Sequence, residues 1–143
     1  MGYQFLANSN NEYDANWLII EAAVCAEGRA WSFRDPSLLT WEVSALIDFF
    51  EGLASETPHR QGILFTEPNL EFIVQSPTCV RVQFSLEASP PWLGNTDELE
   101  NPFAIDFDIS TQQCSDAATS LRQQLARFPQ RTVRSGFRAW IGR

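Results

Sequence analysis

The side chains that could carry chemistry in this sequence are few, and most are carboxylates. A single histidine, His59, sits beside Pro58 in a polar stretch. An imidazole can serve as a general base near neutral pH, but next to a proline it reads first as a solvated turn residue. Cys25, Cys79 and Cys114 are odd in number and form no CxxC pair, which argues against a disulfide framework. They read as buried reduced thiols, Cys25 and Cys114 at apolar-face positions and Cys79 opening a strand. Zinc needs three or four ligands at local spacing, which one histidine and scattered cysteines do not supply. No GxSxG, Walker A, GxGxxG or HExxH string occurs.

The carboxylates offer pairs. Asp106 and Asp108 lie two apart on a strand-like alternation, so they share one face and could divide an acid/base role or bind a hard cation. Calcium or magnesium would want further oxygen ligands, and a solvated outer face accounts for the same spacing. Glu67 and Glu71 flank a turn and allow the same two readings. No residue is designated catalytic, and no metal or cofactor is implied.

Charge is the most informative bulk property. The net charge is −8, and all ten basic residues are arginine. Such acidity disfavours DNA, RNA and anionic membranes as partners and favours a basic protein, although solubility alone would also account for it. Residues 1–100 hold four arginines against fifteen carboxylates, a balance of −11; residues 101–143 hold six against three, a balance of +3. The five arginines from Arg127 onward, interleaved with Phe137 and Trp140, superficially resemble a nucleic-acid patch. The whole-chain charge works against that, and internal pairing with acidic surface is the stronger reading.

Positioning these groups requires a scaffold, and periodicity supplies one. From Gly62 to Leu93 the chain reads as three strands in succession. Leu70, Phe72 and Val74 alternate with Glu71 and Gln75, with Ile73 as an exception, and Val80, Val82, Phe84 and Leu86 alternate with polar residues. Glu67-Pro68-Asn69 and Ser76-Pro77-Thr78 are the turns between them, and strands this close pair antiparallel. Upstream, Tyr3 to Ala7 suggests an edge strand and Asn8 to Asp14 a loop. Trp17 to Cys25 is apolar on both faces, as in a covered central strand, and returns through Ala26-Glu27-Gly28 into Arg29 to Phe33. Asp35-Pro36-Ser37 ends this hairpin. A helix then starts at Asp35 or, more tightly, with Thr40 as N-cap. Its apolar stripe is Leu39, Val43, Leu46, Ile47, Phe50, Leu53 and Ala54, with Glu42, Asp48 and Glu51 facing away. Phe103, Ile105, Phe107 and Ile109 mark another strand, with two aspartates outward. Ser110 and Gln113 make a capping box for a second helix carrying Cys114, Ala118, Leu121, Leu125 and Phe128. Trp17, Trp41 and Phe50 read as core. Trp92, stiffened by Pro90-Pro91, suits either a partner anchor or an internal clamp over the sheet edge.

The order implies an α+β fold: a largely antiparallel sheet of about six to seven strands with two amphipathic helices packed on it. A chain of 143 residues is most simply one domain and can bury roughly 68% of its unfolded surface without disulfides. Residues 132–143 form a loosely attached basic tail that adds a strand or frays. No apolar run approaches the roughly 20 residues of a membrane span. The N-terminus lacks the pattern of a signal peptide, and Leu6 disfavours myristoylation at Gly2. A cytoplasmic location follows from these features, and the residues alone point to an acidic, non-enzymatic binding domain.

Several strings, in order, go further: Tyr13-Asp14-Ala15-Asn16-Trp17; Leu39-Thr40-Trp41-Glu42; Phe65-Thr66-Glu67-Pro68-Asn69-Leu70-Glu71-Phe72; and Pro90-Pro91-Trp92. With Phe103-Ala104-Ile105-Asp106-Phe107 and the closing Phe128-Pro129, they resemble the WapI-type immunity proteins over roughly residues 13–131. The resemblance implies a cytosolic antidote that binds the toxic C-terminal domain of a bacterial contact-dependent or wall-associated toxin, typically a tRNA-cutting nuclease. Charge agrees, because a nuclease presents cations to RNA phosphates and an acidic protein can occupy the same surface. Steering would speed capture roughly 10- to 1,000-fold, and about 1,600 Å² is the default interface. Asp106, Asp108, Glu67, Glu71 and Glu87 are the contact carboxylates this reading selects, with Trp92 as apolar anchor. Two other classes stay open: a regulatory or scaffold protein-binding module, and a carboxylate-dependent hydrolase with two carboxylates facing across a deep cleft.

Overall fold

In the computed structural model, which describes residues 1–5, 10–94 and 101–132, the apolar run after Asn16 forms the middle strand of a three-stranded antiparallel sheet. Its strands are β1 (Gly2–Tyr3), β2 (Trp17–Ala26) and β3 (Arg29–Leu39). A two-residue turn joins β2 to β3, with positive φ at both Glu27 (54°) and Gly28 (74°). That turn twists in the sense the flanking strands require, and glycine makes its second position accessible.

Pro36 does not end this hairpin, contrary to the sequence expectation. β3 continues to Leu39, and Pro36 pairs with Ile19 on the sheet's outer strand, where a missing N–H costs little. The register then steps from Ile19↔Pro36 to Leu18↔Leu38, leaving Ser37 as an extra, bulged residue. Upstream, part of the expected loop is helical: α1 (Glu12–Asn16), capped by the Asn11 side chain.

α2 (Thr40–Ala54) starts near the later of its two expected positions, but Thr40 is its first helical residue and Leu39, not Thr40, is the N-cap. It buries Val43, Leu46, Ile47, Phe50 and Leu53 as its stripe predicts, and also Phe49. Glu42 does not face away. One of its carboxylate oxygens accepts from Leu39 N (2.9 Å), and the other accepts from Thr66 N and Oγ1 (both 2.6 Å).

The meander is present as β4 (Gly62–Leu64), β5 (Leu70–Ser76) and β6 (Cys79–Phe84), followed by β7 (Phe103–Asp108), in sheet order β4-β5-β6-β7. β6 stops at Phe84: Leu86, at φ 51°, opens a 3-10 turn over Leu86–Ala88 instead of extending the strand. Val80, Val82, Phe84, Leu70 and Ile105 are buried on one face. Phe49 and Phe50 of α2 pack edge-on against Phe72 there, with ring centroids 6.2 and 6.0 Å away. Trp31 of β3 meets Phe84 and Phe103 at 5.1 and 5.7 Å. The capping box Ser110–Gln113 opens α3 (Thr111–Leu125), which buries Cys114 and Ala118 and packs on α2.

The fold is therefore α+β, with seven strands among the described residues, but they form two antiparallel sheets and not one. Residue alternation marks strands; it does not say which strands pair, and β3 runs into α2 without joining β4. Two residue expectations also fail. Cys25 is exposed, because the β2–β3 hairpin carries it beyond the core, opposite the exposed Ala30. Trp17 and Trp41 are only half-buried, and among the described residues the buried tryptophan is Trp31.

After α3 the chain is tied to the N-terminal elements. Asn16, wholly buried, donates through Nδ2 to Arg131 O (2.8 Å) and accepts through Oδ1 from Arg131 N (2.7 Å) and Thr40 Oγ1 (2.9 Å). The Arg131 guanidinium lies over the Tyr3 ring, 3.3 Å from its centroid, and Tyr3 OH donates to Pro129 O. The expected basic tail beyond this anchor, with Phe137 and Trp140, lies outside the described residues.

Candidate functional site

The second sheet has a side that no described helix covers. Alternation on β5, β6 and β7 places Glu71, Ile73, Arg81, Gln83, Asp106 and Asp108 opposite the buried face, so the sequence-selected Glu71, Asp106 and Asp108 do share a surface. Asp106 is not a free charge there. Arg81, directly across the ladder, donates Nε to Oδ1 (2.7 Å) and Nη2 to Oδ2 (3.0 Å), a two-pronged pair. That hydrogen bonding holds the Asp106 carboxyl below its usual range. Asp108 has no ion pair among the described residues. Cys79 lies opposite Asp108, and burial, then the two aspartates, push its thiol up.

A second group of carboxylates gathers from three separate segments. Glu67 precedes β5, Glu87 lies in the 3-10 turn after β6, and Asp35 comes from β3. Asn69 holds the segments together. Its Nδ2 donates to Ser37 Oγ (2.9 Å) and Asp35 Oδ2 (3.3 Å), and its backbone oxygen accepts from Ser85 N (3.0 Å). The bulge at Ser37 makes this possible by turning that side chain inward, where it is wholly buried. Burial and then Glu87 raise the Asp35 carboxyl; burial, Glu87 and Asp35 raise that of Glu67. No arginine pairs with any of the three among the described residues. Sequence reading selected Glu67 and Glu87 but missed Asp35, which it assigned to a hairpin end. The only available signal was Asp35-Pro36-Ser37 as a strand interruption.

Trp92 takes the internal-clamp position the sequence allowed, with part of its ring exposed. Its ring packs edge-on against Trp31 (5.5 Å) and Phe103 (6.3 Å), with the Arg29 guanidinium 5.3 Å from its centroid, yet 41% of it stays exposed. Trp31 also donates Nε1 to Ala88 O (3.0 Å), so one buried indole supports both Trp92 and the turn bearing Glu87.

His59 lies in a cleft of about 540 Å³ lined also by Asp48, Phe49, Glu51, Gly52, Ser55 and Arg60. Glu51 is ion-paired with Arg122, and the Ser55 hydroxyl hydrogen-bonds within its own helix end and to Thr57. No hydrogen bond joins His59 to Ser55, so the cleft assembles no nucleophile–base pair. Among the described residues, no three His, Cys, Asp or Glu side chains converge as metal ligands would, and no helix is long and apolar enough to cross a membrane.

Compared with known proteins, residues 1–129 match the model of a family described as the immunity protein WapI-like family. No curated protein and no solved structure matches the chain.

Proposed function

This chain belongs to the immunity protein WapI-like family, and from that premise we propose that it binds and blocks a cognate, basic, nuclease-type toxin domain by complementary charge and shape. The observation that carries this reading is the family match across residues 1–129 of an acidic chain. A nuclease must hold RNA phosphates with cations, so the surface that grips substrate is also the surface an acidic protein can cover. Asp106, Asp108, Glu67, Glu71 and Glu87 are the carboxylates this reading assigns to the interface, with Trp92 as an apolar anchor. The protein acts in the cytoplasm, where such a nuclease would meet tRNA, and needs no catalysis of its own to block it.

The test is co-expression with a candidate cognate toxin domain. Rescue of growth together with co-purification of the two chains is the expected result. Unrelieved toxicity, with both proteins soluble and no complex recovered, contradicts the proposal. Affinity should fall steeply as salt rises, since exposed charges are screened beyond about 8–10 Å at 0.1–0.15 M.

A further inference from the structure

We propose that the outer edge of β7 accepts an extended segment of the partner protein as an added strand, one that alternates basic and apolar residues. This rests on the reading of the chain as an antidote to a basic protein and says how part of that protein is held. β7 ends the order β4-β5-β6-β7, and no strand among the described residues pairs with its far side. Its ladder to β6 fixes which backbone groups are left over. Ile109 N donates to Thr78 O (2.8 Å), so the residues bonded to β6 continue through Phe107, Ile105 and Phe103. Ala104, Asp106 and Asp108 therefore turn their N–H and C=O groups away from β6, and all three residues are exposed.

Open edges invite pairing, and most of the others here are blunted. β4 is three residues long and β1 two, while β3 carries Pro36 and the Ser37 bulge and is tied to the 3-10 turn by the Trp31–Ala88 bond. β2 is open beyond Ile19, but Glu21 is the one carboxylate there, already 4.0 Å from Arg34, and Ala23 and Cys25 carry no charge. β7 runs six residues with no proline and no register shift. Its two faces define the occupant. Outward, Asp108 has no ion pair among the described residues and stands beside the Arg81-paired Asp106. Inward, Phe103 and Phe107 stay half-buried, whereas Phe84 and Val80 across the ladder are buried. A neighbouring strand thus gains from cations on one face and apolar side chains on the other. The partly exposed Trp92, packed on Phe103 (6.3 Å), extends the apolar side at the start of β7. A second copy of β7 suits the edge badly, because its aspartates would face these.

The experiment needs no toxin. Nitrogen-15 NMR of the full chain is titrated with the capped peptide Arg-Val-Arg-Val-Arg-Val-Arg. A second titration uses the same peptide N-methylated at every arginine, equal in charge but without the N–H groups a ladder needs. The unmethylated peptide alone should give saturable shifts at Ala104, Asp106 and Asp108 and slow hydrogen exchange of those amides about tenfold or more. Ala104→Pro removes an N–H that makes no bond to β6, and should weaken the response about tenfold while the spectrum stays that of the folded chain. An equal response to the methylated peptide, a response centred on β2 residues 21–26, or no saturable shift at β7 overturns the proposal. So does finding those three amides already protected in the free chain, which would mean that the edge is taken. Since no toxin is involved, failure here leaves the antidote reading standing, and failed growth rescue leaves this edge standing.

Discussion

Glu67 shows what a single carboxylate costs when it is placed beside two others. Burial, Glu87 and Asp35 raise its carboxyl, so the folded chain holds that proton more tightly than the unfolded chain does. Stability from this group therefore rises as pH falls through the interval between the two values, and is lost as pH climbs above it. Glu67→Gln should accordingly stabilise the protein modestly at pH 7, by less than about 1 kcal/mol, with the gain shrinking on acidification. Urea unfolding at pH 7 and pH 4 reads this directly, and a variant less stable than wild type at pH 7 contradicts it. Asp106 has the opposite sign: Arg81 depresses its carboxyl, so its contribution is present at neutral pH and disappears on acidification. The outward direction of Asp106 is legible from strand alternation. Its neutralisation by Arg81 is not, because the two are 25 positions apart and meet only through the β6–β7 register.

At the scale of elements, the contacts that join segments matter more than the segments. Asn16 fastens α1 to the chain beyond α3 through the Arg131 backbone and to α2 through Thr40. Asn16→Ala leaves buried donors and acceptors without partners and should cost about 1–3 kcal/mol. The same change should speed hydrogen exchange at the Arg131 amide, and unchanged protection there would show that the tie is not what holds residues 129–131. Trp31→Phe removes the Nε1 bond to Ala88 O while keeping an aromatic ring, and should cost about 1 kcal/mol. Its diagnostic sign is altered fluorescence of Trp92, which packs edge-on against Trp31. For α2, Leu46→Ala should cost about 2–5 kcal/mol in thermal or denaturant unfolding, because that side chain is buried against the core and its cavity would close only partly. The helical stripe containing Leu46 is plain in the sequence. The roles of Asn16 and Trp31 are not, since a buried polar hub and a buried indole carry no periodic signature.

For the whole molecule, the separation of charge bears on function. On the proposed charge-complementary binding, with a net charge of −8, the association rate with the toxin domain should fall about tenfold or more between 50 and 500 mM salt while dissociation changes less. Stopped-flow mixing with the toxin domain measures both; a salt-independent association rate would show that steering is not how the two meet. The described part of the molecule contains three ion pairs, and only the Arg81–Asp106 pair falls on the sequence-selected carboxylates. Self-neutralisation among the described residues is thus limited, and Glu67, Glu87 and Asp108 keep their charge free of such pairs.

By itself the sequence determined what is local or additive: the alternation of β5, β6 and β7, the apolar stripes of α2 and α3, the Glu27-Gly28 turn, the capping box at Ser110 and the net charge. Each follows from residue types within a few positions, or from a sum over all of them. Only the tertiary structure decided how the strands divide into two sheets, that Pro36 stays within β3, and that a bulge turns Ser37 toward Asn69 and brings Asp35 beside Glu67 and Glu87. Those outcomes depend on which distant surfaces bury each other best, and that choice is made by packing across the core, where neighbours in space are strangers in sequence.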